Sequence, residues 1–101
     1  MYIVDSLYNN IKYDNKESRY SYRMISESFF GGQAFGIEVE RQDIIEGNVV
    51  QIERDLIRRI SNKEDKVKIL LSLVHDHQVS PIHLVDILGE YVDNYVSDFY
   101  F

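Results

Sequence analysis

The sequence predicts an α+β domain, an antiparallel meander of three to four strands followed by two C-terminal helices packed on one face of the sheet. Three observations carry this expectation. Apolar and polar residues alternate with period two through residues 19–41, as on a half-buried strand pair. Gly31-Gly32 and Glu46-Gly47-Asn48 interrupt that alternation at hairpin spacing. From residue 61 onward the apolar spacing changes to that of a helix face, and strands followed by helices is the α+β order.

The first seventeen residues mix the apolar pairs Ile3-Val4 and Leu7-Tyr8 with the turn formers Asn9, Asn10, Asp14 and Asn15, and read as an arm or one short strand. Arg19 to Phe29 places Tyr20, Tyr22, Met24 and Ser26 on one face, and the tyrosine face is expected to pack inward. Gly31-Gly32 supplies the left-handed backbone of a tight hairpin. Gln33 to Arg41 follows, with Phe35, Ile37 and Val39 opposite Gly36, Glu38 and Glu40, one face in the core and the other wet. After the second turn, Val49 to about Ile57 is the next strand, with Val50 and Ile52 on a shared face.

Ser61-Asn62-Lys63-Glu64 fits a capping box at the start of a helix running to residue 76. Val67, Leu70, Leu71 and Val74 form its apolar stripe, which should lie on the sheet. Ser80-Pro81 fits an N-cap with proline at the first helical position, opening a second helix over 81–96. That helix aligns Leu84, Leu88, Tyr91 and Tyr95 on one side, with Val85, Val92 and Val96 widening the apolar surface. Asp86, Glu90 and Asp93 form an acidic stripe opposite. The division is one domain over 1–101: an arm to 17, strands over 19–58, helices over 61–96 and an aromatic tail over 97–101.

Composition excludes several function classes. With no cysteine there is no disulfide framework, no thiolate metal site and no cysteine nucleophile. A formal net charge of −6 gives a field that repels nucleic acid, so direct nucleic-acid binding is not expected. The N-terminal residues lack the basic start and apolar run of a signal peptide, and no stretch reaches the roughly 18 apolar residues of a membrane span. A cytoplasmic protein without membrane contact is expected. Arg54, Arg58 and Arg59 lie among Glu53 and Asp55 and read as a solvated face.

The side chains that could carry chemistry give no convincing constellation. His75, Asp76, His77, His83 and Asp86 fall within a dozen residues and include metal-binding types. However, His75 and His77 point apart on a helix and His83 lies across a turn holding Pro81. Glu38 and Glu40 share a strand face but have no nucleophile or oxyanion hole beside them. Phe29-Phe30-Gly31-Gly32 lacks the spacing of a phosphate loop. No catalytic residue, metal ligand or cofactor is therefore assigned.

The C-terminal helix is the better candidate. Tyr91, Tyr95 and Phe99 recur at helical spacing, and the tail Phe99-Tyr100-Phe101 has three possible seats: its own core, a second copy or a partner. The expected partner-binding surface is Asp86, Glu90, Tyr91, Asp93, Tyr95 and Phe99. The acidic stripe, taken with Glu38, Glu40 and Glu46, also fits a second reading, a mimic of the phosphate backbone that occupies the groove of a nucleic-acid enzyme. A small metal-dependent enzyme using His75, His77, His83 and Asp86 is the third.

The segments Tyr22–Ser26 (YRMIS), Phe35–Arg41 (FGIEVER) and Val79–Leu88 (VSPIHLVDIL) together resemble a small family of roughly hundred-residue proteins of unknown function from anaerobic Gram-positive bacteria. The resemblance spans about Tyr20 to Tyr95. It implies a cytoplasmic bacterial protein and carries no activity, cofactor or catalytic residue. The expected function is that of a small non-enzymatic interaction or regulatory protein, acting on a protein partner or as a homodimer.

Overall fold

A computed structural model of the chain describes residues 1–99. Four strands, β1 (Tyr2–Tyr13), β2 (Lys16–Phe29), β3 (Gly32–Ile45) and β4 (Asn48–Ser61), form one antiparallel sheet in the order β1-β2-β3-β4. Two helices follow, α1 (Glu64–Asp76) and α2 (Leu84–Tyr95), the second entered through a 3₁₀ turn at Pro81–His83 and left through another at Val96–Phe99. The α+β meander with both helices against the sheet is as expected, and of the three to four strands expected it has four.

The hairpins are tight because their turn residues adopt left-handed backbone. Phe30 and Gly31 have φ of 48° and 79°, and Glu46 and Gly47 have 50° and 82°. The first turn is therefore Phe30-Gly31 rather than Gly31-Gly32, and Gly32 already pairs with Phe29. The expected N-terminal arm is a full strand of 12 residues, paired with β2 from Tyr2↔Ser26 to Tyr13↔Lys16. Asn9 and Asn10, read as turn formers, lie within it. Asn9 has a reason to be there, since its amide Nδ2 donates at 2.7 Å to the His75 carbonyl, which also accepts from the Gln78 amide at 3.1 Å at the end of α1.

Tyr20, Tyr22 and Met24 of β2 and Ile37 and Val39 of β3 share one face and are buried. Val67, Leu70, Leu71 and Val74 of α1 and Leu84 and Leu88 of α2 close over them into one core. The Tyr22 hydroxyl donates to the Val79 carbonyl at 3.1 Å, and burial pushes its pKa up to about 12. The tyrosine side of β2 is thus the inward one, as its alternation predicts.

β4 departs from simple alternation. Opposite Phe35–Ile37 it advances from Ser61 to Ile57, a bulge that lets Ile57 and Ile60, three residues apart, both reach the core. The bulged backbone passes so close to β3 that a Cβ on Gly36 would lie 2.0 Å from the Ile57 carbonyl oxygen and 2.4 Å from that of Arg58. Further along, Val49, Val50 and Ile52 are exposed.

Both expected helix caps differ in detail. Ser61 is the last residue of β4; its hydroxyl accepts from the Lys63 amide at 3.0 Å and donates to Asp98 Oδ2 at 2.6 Å, and the reciprocal Glu64 bond of a capping box is not made. Ser80 precedes the 3₁₀ turn with extended backbone and contributes its carbonyl, which accepts from the His83 amide at 3.0 Å, while its hydroxyl makes no cap. Proline at the first position of that turn starts it without a missing amide bond.

Gly36→Ala should cost at least about 3 kcal/mol, because the added methyl meets backbone that cannot rotate away. Gly89→Ala, in open space within α2, should instead stabilise by about 0.5–1 kcal/mol. Urea denaturation of both variants checks the pair, and equal effects would refute the steric account.

Candidate functional site

α2 leaves the C-terminal end of the 3₁₀ turn with Leu84 and Leu88 buried and Asp86, Glu90 and Asp93 exposed, as the helical wheel predicts. Val92 and Tyr95 pack against the core, whereas Val85, Ile87, Tyr91 and Val96 stay exposed on the two flanks. The six expected partner-binding residues therefore divide. Asp86, Glu90, Asp93 and Tyr91 face outward; Tyr95 and Phe99 are turned toward the domain.

Local contacts hold those two. Lys66 Nζ lies 4.6 Å from the Tyr95 ring centroid and also contacts Asp98 at 2.9 Å. Phe99 meets Phe29 of the β2–β3 hairpin edge to face, with centroids 5.3 Å apart. Hydrogen bonds from Ser61, then from Lys66, keep the Asp98 carboxyl below its ordinary range. Of the three seats open to the aromatic tail, Phe99 thus takes its own domain; Tyr100 and Phe101 lie outside the described residues.

The histidines serve packing at the helix junction. His75 Nε2 is 3.0 Å from the Tyr8 carbonyl and Nδ1 is 2.9 Å from Asp76 Oδ1, while the Tyr22 ring meets the imidazole at 5.7 Å. His77 and His83 instead line an open hollow of about 460 Å³ with Leu73, Gln78, Val79 and Ile87. Among the described residues no group of three or more His, Cys, Asp or Glu stands close enough to hold a metal ion.

Glu38 and Glu40 point to the sheet face opposite the helices, so they do not join the acidic stripe of α2, and Glu46 sits at the β3–β4 turn. Nor is Glu40 wet. Its side chain is only 7% exposed, roofed by the guanidinium groups of Arg54 and Arg23 rather than by apolar side chains. The Arg54 hydrogen bonds, helped by the charge of Arg23, hold its pKa below the ordinary glutamate value. Arg23 also meets Glu38 at 2.8 Å, and Arg58 and Arg59 both meet Glu27, at 3.0 and 2.8 Å. The basic cluster read as a solvated face is therefore partnered residue by residue. The sequence signal for this was Glu40 on β3 for Arg54 and Glu27 on β2 for both Arg58 and Arg59, legible only once the strands were placed.

A family model described as a family of unknown function, DUF6514, matches residues 1–94. The chain belongs to DUF6514. No curated protein and no solved structure matches it. The DUF6514 match starts at residue 1, so it takes in β1, wider than the expected span from Tyr20, and it stops within α2 short of the Val96–Phe99 turn. No helix among the described residues is long and apolar enough to cross a membrane.

Two outcomes follow from these contacts. A carboxylate held below its ordinary pKa adds stability at neutral pH that disappears as pH falls beneath the glutamate range, so the native chain should weaken toward pH 3. Glu40→Gln should cost about 1–2 kcal/mol at neutral pH, allowing for the solvent around Arg54, and should flatten that acid limb in urea titrations at the two pH values. Ending the chain at Val96 removes Asp98 and Phe99 and should lower stability by about 2–4 kcal/mol in the same assay; an unchanged midpoint would show that the tail contributes nothing to the fold.

Proposed function

We propose that this protein is a small, non-enzymatic, cytoplasmic interaction or regulatory protein of bacterial origin, and that it meets a protein partner through α2. One observation carries the reading: α2 keeps Val85, Ile87 and Tyr91 exposed beside Asp86, Glu90 and Asp93, so a helix already seated on the core still offers apolar area to a partner. Apolar anchors ringed by charge are the usual make-up of an interface centre and rim. Tyr91 is the natural anchor, with Tyr95 and Phe99 supporting the helix from beneath.

On the sheet face opposite the helices several carboxylates are paired within the chain. Glu27, Glu38, Glu40 and Glu53 each meet an arginine on the sheet, while the carboxylates of α2 have no ion pair among the described residues. Unpaired charge beside exposed apolar surface supports this helix as the working side.

The test replaces Tyr91 with a photo-crosslinking phenylalanine analogue in the native host, and Tyr13, exposed on the far hairpin, in a parallel strain. A discrete adduct from position 91, absent from position 13 and lost on Asp86→Lys with Glu90→Lys, is expected. Adducts from both positions, or from neither, would count against an α2 interface.

A further inference from the structure

The interaction reading leaves open which shape α2 presents and what fits it. α1 and α2 both pack over the core face of the sheet, and the furrow between them opens at the end of α1 into a hollow that mixes Leu73, Val79 and Ile87 with His77, Gln78 and His83. Leu73 and Ile87 face each other across the 460 Å³ hollow. Ile69, 69% exposed, precedes Leu73 by four residues on α1, and Tyr91 follows Ile87 by four on α2, so both extend the same two walls. Lys66 and Tyr95 close the far end.

The dimensions suit one ligand class. Between Lys66 and Asp76 α1 rises about 15 Å, which is the length of a partner helix of about three turns. A helix lying in such a furrow buries anchors at i, i+3, i+4 and i+7 and leaves its flanks against the rim.

The rim fixes the charge of those flanks. Asp65 stands one turn before Ile69, Asp76 three residues after Leu73 and Glu90 three after Ile87, all exposed. Residues 62–99 carry three lysines against seven carboxylates, and the lysine nearest the furrow, Lys66, is already held by Asp98. A second copy of this chain is a poor occupant, because its own helices bring the same carboxylates to the contact.

Resting on the interaction reading, we infer that the α1–α2 furrow seats an amphipathic helix of another protein, apolar along one face and rich in lysine or arginine on its flanks. The partner helix lays its apolar face on Ile69, Leu73, Ile87 and Tyr91, and its basic flanks meet Asp65, Asp76 and Glu90. The same face without basic flanks lacks the rim contacts, and an acidic one is repelled.

The probe is a labelled helical peptide of about 14 residues with leucine at i, i+3, i+4 and i+7 and lysine elsewhere, compared with its glutamate counterpart by fluorescence anisotropy on the full chain. The lysine peptide should bind about tenfold or more tighter than the glutamate one. Ile87→Glu and Ile69→Glu, both at exposed sites, should each weaken it about tenfold although they add negative charge, while Val50→Glu, at an exposed site on β4, should not. If the glutamate variants at 69 and 87 bind the lysine peptide as well or better, attraction is purely electrostatic and the furrow is not the seat. If neither peptide binds, the furrow assignment falls, whereas a crosslink at position 91 would still stand for the interface. A dimer seen by light scattering and abolished by Ile87→Glu would make a second copy the occupant and overturn the inference.

Discussion

The passage of the bulged β4 backbone over Gly36 is the constraint on which the rest of the structure depends. Only a residue without a side chain leaves room for the Ile57 and Arg58 carbonyls there. The bulge turns both Ile57 and Ile60 to the core and brings Ser61 into full burial at the mouth of α1. From that position the Ser61 hydroxyl links the α1 start to Asp98, so the last turn of the chain is anchored at the point where the sheet ends. A strand with strict alternation would expose Ile60 and deliver α1 at a different angle.

The second organising contact lies at the opposite end of α1. Three side chains from three elements converge there: Asn9 on the His75 carbonyl, His75 on the Tyr8 carbonyl, and Tyr22 on the Val79 carbonyl. Together they tie β1 and β2 to the end of α1, which is why a tyrosine, an asparagine and a histidine occupy a region otherwise built of leucine and valine. His75, which resembles a metal ligand in the sequence, is used here as joinery.

Much of the fold was legible in the sequence because burial and period coincide in β2, β3 and the two helices. Tyr20, Tyr22, Met24, Ile37, Val39, Val67, Leu70, Leu71 and Val74 all lie where alternation or the helical stripe put them. β1 was not legible as a full strand, because Asn9 and Asn10 carry turn propensity and the contact that justifies Asn9 is 66 residues away in sequence. The bulge in β4 hid for a related reason: it breaks the period that identifies strands. In the candidate surface, the outward acids of α2 followed directly from the wheel. The inward turn of Phe99 did not, since it depends on where the β2–β3 hairpin ends.

The strands are 12 to 14 residues long, about 40–46 Å, while each helix covers only about 20 Å, and the body is drawn out to 52 × 23 × 18 Å. Helix cover therefore backs one half of the sheet and leaves the half bearing the Asp14 and Glu46 turns as a bare ladder, held by cross-strand pairs such as Ser18 with Asp43 and Arg41 with Glu53. Such a molecule is a handle and a blade. Few buried apolar contacts hold the bare ladder, so it is expected to open locally at less than the global unfolding free energy. The protein thus offers its two ends to the cell with unlike stiffness, one fixed in shape and the other compliant.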